Sequence, residues 1–563
     1  MLAHLSPAPH RGFVSPRCRQ HAFFFARVPQ LLAAAALTVA AAAQDPVEGP
    51  RRVPPPTTPP KTITQPDAQQ PGATPRVRYQ PVQSRYLDLE PFDRYGRRRG
   101  WNPLLFSDGT GEYPLLRGGG LLDVYNVNPL KGDRPISGEH LFFVTDVVST
   151  NTFESREKAN APDALEKRTT NFLSFELFHG DTVFRPPTWR VRATGAFDTR
   201  DADDIGGGVT QTDFAMQELF AEALLWELDP YFDFASLRVG RQAFASDFRN
   251  FIFVDQNDGA QLFGSLCESR IDYQLAFFDL VEKDPESNLS RGTESRDQTF
   301  FAANVFLEDM LSMGYEVQLT TQWVHDTQGA TIDAYYLGFL GDGRLGKVDF
   351  AHALYLMFGD DEQNAFAGRS VSTSAHLAAV EVGIPDSWRR YVFSALYASG
   401  DDDPTDGDGN GFDSVFDNPQ FAGGQLGFFH RQAIAVDGTL ISNANSFYPN
   451  LRGKAAAGPN SVNPGLAILH AGVEAELSNY WSVVGNASYL QFADTAVLEA
   501  TFGQSLSRGI GIDLSVGARY RPFGVDNVVI TPVLQALVPT GGLDQLVSDD
   551  LLVGFFVNAT IVL

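Results

Sequence analysis

Cysteine is almost missing from this chain, with two among 563 residues, Cys18 and Cys267. Two cysteines cannot build the disulfide framework of a small secreted scaffold. Long apolar runs are missing as well. Residues 29–43 hold the one long apolar stretch, which excludes a bundle of transmembrane helices, each needing about 20 such residues. Positive charge is scarce, with Lys+Arg 43 against Asp+Glu 68 and a formal net charge of −25. A nucleic-acid partner is not expected, because binding phosphates needs a basic face. Catalytic signatures are absent too: no H-E-x-x-H, no C-x-x-C and no G-x-S-x-G elbow, and the ten histidines are scattered. No enzyme is expected. Gly341-Asp-Gly-Arg-Leu-Gly346 has the form G-x-G-x-x-G, but Val348 to Phe358 after it reads as a strand. A dinucleotide site needs a helix there, so this is read as a hairpin turn.

What the chain has in quantity is glycine (51), phenylalanine (44) and strict alternation. Leu219, Ala221, Ala223 and Leu225 share one parity, and Glu218, Phe220 and Glu222 the other. Ile271, Tyr273, Leu275 and Phe277 alternate in the same way with Asp272, Gln274 and Ala276, and Tyr315 to Trp323 with Glu316, Gln318 and Gln322. The pattern returns at Trp189–Asp198, Ala467–Leu477 and Ile510–Arg521. Side chains of a strand point to opposite faces with period two, so each segment has an apolar and a polar face. The runs are longer than soluble strands, which average about 5–6 residues, and match the 9–11 needed to cross a bilayer at a tilt. Trp189, Phe197, Trp323, Tyr489 and Tyr520 mark outward-face ends, as interfacial aromatics do.

The reading is an all-β, transmembrane antiparallel β-barrel of roughly sixteen to eighteen strands, eighteen preferred, since bacterial barrels favour even numbers. The last strand runs to the final residue, with Phe555, Val557, Ala559, Ile561 and Leu563 on one face. It resembles the terminal strand by which bacterial barrels are handed to the insertion machinery, with Leu563 in place of an aromatic. Residues 1–43 read as a secretory signal: basic Arg11 to Arg27, apolar Leu31 to Ala42, small Ala41-Ala42-Ala43. Residues 44–85 form a Pro-rich periplasmic linker, 86–137 an irregular entrance or plug segment, and 138–563 the barrel. The expected location is the outer membrane of a Gram-negative bacterium, as a monomer in lipid.

Several segments carry a more specific likeness. Phe234-Ala-Ser-Leu-Arg-Val-Gly-Arg-Gln242, Ser246-Asp-Phe-Arg-Asn-Phe-Ile-Phe253, Phe277-Phe-Asp-Leu-Val-Glu-Lys-Asp284, Ala398-Ser-Gly-Asp-Asp-Asp403, Gly411-Phe-Asp-Ser-Val-Phe-Asp417, Asn463-Pro-Gly465 and Tyr520-Arg-Pro522 resemble the alginate-export family of outer-membrane porins. The likeness covers about residues 120–563. It implies a monomeric barrel of around eighteen strands passing an anionic polysaccharide or another anionic solute.

Two candidate sites follow. Arg190, Arg192, Arg238, Arg519 and Arg521 fall on polar faces with Asp272, Glu316, Gln318 and Glu474. Guanidinium groups lining a pore would attract carboxylate or phosphate, whereas pairing with the acids would leave a network that stiffens the wall. Asp406, Asp408, Asn410, Phe412 and Asp417 stand at positions 1, 3, 5, 7 and 12 of a calcium loop, with Gly411 at 6. The bland alternative is a solvated acidic loop. Structural calcium is the one metal entertained, and no organic cofactor is expected. The competing function is a plugged-barrel receptor or adhesin acting through acidic loops.

Overall fold

The computed structural model describes residues 130–563, apart from 133–134, 159–160, 181–185, 205–206, 229–232, 286, 437–438, 452–457, 523–525 and 548–549. The expected signal peptide, the linker and nearly all of the entrance segment lie outside these residues.

The alternating runs are strands, and consecutive strands pair antiparallel. The barrel wall begins with β1 (Leu141–Lys158), β2 (Ala161–His179), β3 (Trp189–Asp204), β4 (Gly207–Glu227), β5 (Phe234–Ala245) and β6 (Val254–Leu266). It continues with β7 (Ile271–Lys283), β8 (Ser290–Leu307), β9 (Tyr315–Asp326), β10 (Ile332–Leu345), β11 (Val348–Asp361), β12 (Val371–Asp386) and β13 (Arg389–Ala398). Three short pieces, β14 (Asp408–Gly409), β15 (Ile434–Val436) and β16 (Thr439–Ser442), interrupt the series. The wall then resumes with β17 (Leu466–Glu476), β18 (Trp481–Gln491), β19 (Gly509–Tyr520), β20 (Val528–Pro539) and β21 (Leu552–Val562). β21 pairs back onto β1, from Val148↔Val562 to Arg156↔Gly554, and closes an 18-strand antiparallel barrel. The G-x-G-x-x-G stretch is the end of β10 and its turn into β11, with Leu345 facing Val348.

The terminal end of the barrel, where β1 starts and β21 finishes, carries short turns such as 346–347 and 387–388. The opposite end carries the long connections, 399–465 above all. Along β10, Tyr335, Leu337 and Phe339 are exposed while Tyr336, Gly338 and Leu340 are buried. The same holds around the wall, so the exterior is a continuous apolar surface that only hydrocarbon can cover. Among the described residues no helix is long and apolar enough to cross a membrane, and the strands do that work.

Aromatic rings bound this surface at both ends. Trp189, Trp226, Trp388, Tyr480 and Trp481 stand at the terminal end. At the loop end, Trp323, Tyr335 and Phe358 stack in register across three strands, with centroids 6.3 and 5.6 Å apart, and Tyr397 and Tyr489 stand at the same level of their own strands. Trp481 and Tyr489 share β18, eight steps apart, or about 26 Å along the strand and about 20 Å across a tilted wall. Phe197 points outward from mid-strand in β3 rather than from either rim.

The barrel is not hollow. The hairpin loop 246–253 and the segment 399–465 turn inward and pack Phe251, Phe253, Phe412, Phe416, Phe429 and Tyr448 against inward rings of the wall. Phe253 stacks on Phe300 at 4.2 Å. One glycine makes room for this: a Cβ on Gly338 would collide with the Tyr355 ring, which lies across it on the way to the infolded loop.

An arginine at outward Phe339, four residues along β10 from Tyr335, should cost about 2–4 kcal/mol of stability in lipid, because it places a charge near the bilayer midplane. Urea titration of the protein refolded into vesicles measures this.

Candidate functional site: a charged wall facing an infolded segment

Strands β2 to β5 put their polar parity inside, and neighbouring strands bring opposite charges level. Arg190 lies 2.7 Å from Glu222 and 3.8 Å from Glu176. Arg192 lies 3.3 Å from Glu176 and 2.8 Å from Glu218. Arg238 reaches Glu222 at 2.9 Å while its guanidinium covers the Phe220 ring at 4.7 Å and Phe263 at 5.2 Å. Three cations and three carboxylates thus form one ladder. A bulge where Glu218 and Met216 face Thr194 and Gly195 keeps Gln217 and Glu218 both on the inner side. Toward the loop end the ladder continues with Arg168–Asp198 at 2.9 Å and Arg200–Glu166 at 3.1 Å. The arrangement is charge-balanced, which supports the stiffened-wall reading and leaves no bare ring of guanidinium groups along this part of the wall.

The other sequence-derived positions do not join that ladder. Asp272 accepts a hydrogen bond from Ser265 Oγ at 2.5 Å on the β6–β7 hairpin. Glu316 and Gln318 are buried beneath the inward loop, where Gln318 Nε2 donates to the Ser246 carbonyl at 2.8 Å. Glu474 pairs with Arg390 at 3.3 Å. Arg521 lies just past the end of β19 and bridges Glu476 at 3.3 Å and Asp526 at 2.7 Å. Arg519 is inward and half-buried, within electrostatic range of Glu474.

The infolded part is built around buried acids. Asp247 accepts from the Arg249 and Phe251 amides at 2.9 and 3.1 Å and from Tyr355 Oη at 3.0 Å. Burial raises its carboxyl above the usual carboxylate range against those bonds. Arg249 crosses the lumen to Asp342 at 3.0 Å and Glu381 at 3.2 Å. The loop is tied to the long segment where the Val415 and Phe416 amides donate to the Ile252 carbonyl at 3.1 and 3.0 Å. Farther along, Arg431 forks onto Glu154 of β1 at 3.1 and 3.0 Å and lies 3.7 Å over the Phe556 ring of β21. Gln432 Nε2 donates to the same carboxylate at 2.6 Å.

The five calcium candidates separate. Asp408 is exposed, while Phe412 and Asp417 are buried. The Asp417 carboxylate accepts from Ser414 Oγ and Ser446 Oγ, each at 2.7 Å, and the Phe412 carbonyl accepts from Asn463 Nδ2 at 3.3 Å. Asp406 accepts from the Asp408 amide at 2.8 Å. Among the described residues no three His, Cys, Asp or Glu side chains converge to hold a metal ion. The spacing of a calcium loop is present, but its helical flanks are not, and Asp406, Phe412 and Asp417 accept hydrogen bonds from the chain itself.

The sequence reading placed Glu218 and Glu222 inward but missed Glu176, Arg249, Arg390 and Arg431 as partners. Glu176 carries a readable signal, since it shares the inward parity of Ser174 on β2. Arg249 and Arg431 carry none, because they stand in irregular segments without period.

Two consequences can be measured. Glu222→Gln removes the carboxylate that Arg190 and Arg238 share in a buried site and should cost about 3–5 kcal/mol. By contrast, Arg521→Gln at the rim should cost under about 1 kcal/mol; heat-dependent gel mobility of the folded barrel compares the two. Asp401, wholly inside the 399–465 segment, has its carboxyl raised to about 6 by burial, opposed by the Asn410 amide and reinforced by Asp406, Asp402 and Asp403. A raised acid favours the fold in its protonated form, so the closed segment is firmest below about pH 4 and loosens as pH rises to about 6. Hydrogen exchange at the Asn410 and Phe412 amides, corrected for intrinsic rates, should show that dependence, and Asp401→Asn should remove it.

No family model matches the sequence, and no curated protein matches it. Solved structures do resemble the fold. Pseudomonas aeruginosa OccK5 (OpdH) aligns with a TM-score of 0.47 at 10% identity, covering 75% of this chain and 98% of that one. OccK2 (OpdF) from the same organism, in complex with glucuronate, gives 0.45 at 9% identity over 75% and 98%. OpdK with vanillate, also from Pseudomonas aeruginosa, gives 0.44 at 11% identity over 74% and 98%. Nothing about cargo passes from those proteins to this chain.

Proposed function

We propose that the protein is a porin of the Gram-negative outer membrane that passes a hydrophilic, anionic solute. An alginate-like polysaccharide is the cargo that the sequence resemblance favours. The observation that carries the reading is the Arg190–Arg192–Arg238 ladder. The apolar cluster of the infolded segment draws on β5, β7 to β13 and β17 to β21, but among the described residues on none from β1 to β4. The charged wall is therefore the side on which a polar path can run. There, Arg192 is shared between Glu176 and Glu218, and Glu218 is the less buried of the two. A passing carboxylate can take the place of Glu218 on that guanidinium and then give it back. Exchange of this kind offsets the desolvation of the solute without trapping it.

The segments that resemble the alginate-export family support the finer reading. Ser246–Phe253, Ala398–Asp403, Gly411–Asp417 and Asn463–Gly465 all belong to the infolded structure, the part of the barrel that sets its bore. The signal at 1–43 and the terminal β21 would deliver the chain to the insertion machinery. A second reading, a plugged receptor, is favoured by the amount of apolar packing between the infolded segment and the wall.

Planar-bilayer conductance under a salt gradient separates the two. The porin reading expects stable steps with a reversal potential favouring anions, reduced at least severalfold in Arg192→Gln, and block by uronate oligomers. Cation preference removes the anionic cargo, and a silent folded barrel supports the receptor.

A further inference from the structure

The outer wall carries a groove where its apolar surface ought to be smooth. It is a shallow, open hollow of about 680 Å3 on the lipid side of β13 and β17 to β20. Its floor is Ala471, Val473, Gly485 and Ala487, small outward residues that stand level on β17 and β18. One bank is Tyr391 and Phe393, which face Val473 and Ala471 across the β13–β17 pairing. The other is Leu514, Val516 and Leu534 on β19 and β20. The floor is low because side chains are absent there: a Cβ on Gly485 would meet Val473 Cγ1 at 3.8 Å and nothing nearer.

A cation stands at the terminal end of the groove. Arg389 is outward, two residues before Tyr391, with its guanidinium 5.0 Å over the Trp388 ring and 5.8 Å over Tyr391. Among the described residues its one ion pair, to Asp386 at 2.9 Å, is solvent-exposed, and its covered Nε has no hydrogen-bond partner there. The outward positions of β13 and β17 to β20 hold no carboxylate. Asp386, level with Arg389 on β12, takes one edge of the guanidinium, so a second anion for it comes from the surroundings, at the depth marked by Trp388, Tyr480 and Trp481.

From this geometry we infer that the groove is a binding site for one acidic phospholipid. An acyl chain lies along the Ala471–Gly485–Ala487 floor, and the phosphate rests at Arg389. Inside a bilayer no hydrophobic gain separates a bound chain from a free one, so selection comes from shape and from the charge at the end. A rigid β-wall with two banks supplies the shape. Guanidinium on aromatic rings at the interface supplies the charge. The site faces away from the lumen and stands whether or not the barrel conducts.

The test is native mass spectrometry of the full-length barrel, extracted in mild detergent and titrated with dioleoyl phosphatidylglycerol or dioleoyl phosphatidylcholine. One phosphatidylglycerol should remain bound, at least tenfold more than phosphatidylcholine. Arg389→Gln should abolish that preference, and Gly485→Leu, which fills the floor, should lower retention of both lipids by at least tenfold. Ala471→Leu serves the same purpose if the first variant does not fold, as judged by heat-dependent gel mobility. Equal retention of the two lipids by the unaltered protein, or unchanged retention in the filled variants, overturns the inference. So does a species of twice the mass that Gly485→Leu removes, since the occupant is then a second copy of the chain.

Discussion

Hydrogen bonding between the first and last strands is the condition on which the rest of this structure stands. A sheet in hydrocarbon cannot leave an edge, because each unpaired amide or carbonyl there costs several kcal/mol. The nine register pairs from Val148↔Val562 to Arg156↔Gly554 remove the edge. Once the wall is closed, the period of two does the remaining sorting. Every odd or even side chain must face either lipid or lumen, and the two populations seen in β10, Tyr335 and Phe339 outside and Tyr336 and Leu340 inside, follow from that division.

The interior answers a different constraint. Charges placed inside a barrel wall are far from bulk water unless they are paired, and an unpaired arginine among aromatic rings would be costly. The chain meets this by setting carboxylates level with guanidinium groups on neighbouring strands, so Glu222 serves Arg190 and Arg238 at once. The rest of the lumen is filled largely with phenylalanine and tyrosine from the infolded segment, packed around buried acids such as Asp247. The division between the two sectors runs along strands rather than across the bore.

Much of this was legible in the residues. Strand existence and the inward parity of Arg190, Arg192 and Arg238 follow from alternation, which a long tilted strand cannot hide, and eighteen from the preference of bacterial barrels for even numbers. The direction of the 399–465 segment was not legible. Its aspartates, Asp401 to Asp408, read as an outer loop, yet Phe412, Phe416, Phe428 and Tyr448 between and beyond them are wholly or almost wholly buried. Acid runs suggest solvent, but irregular segments have no period to reveal that their aromatic residues face a wall hundreds of residues away. Pairing was half legible for the same reason: parity gives the face of an arginine, whereas register decides which carboxylate meets it.

The contact of Arg431 with Glu154 and Phe556 has a bearing on the order of assembly. Its partners are contributed by the first strand and the last, so the anchor does not exist until the two ends of the chain have met. Gln432, reaching Gln535 on β20 at 3.3 Å as well as Glu154, has the same requirement. The contacts of loop 246–253 with β8 and β10 to β12 carry no such requirement, so it is the stretch around Arg431 and Gln432 that locks in place only once the seam is sealed.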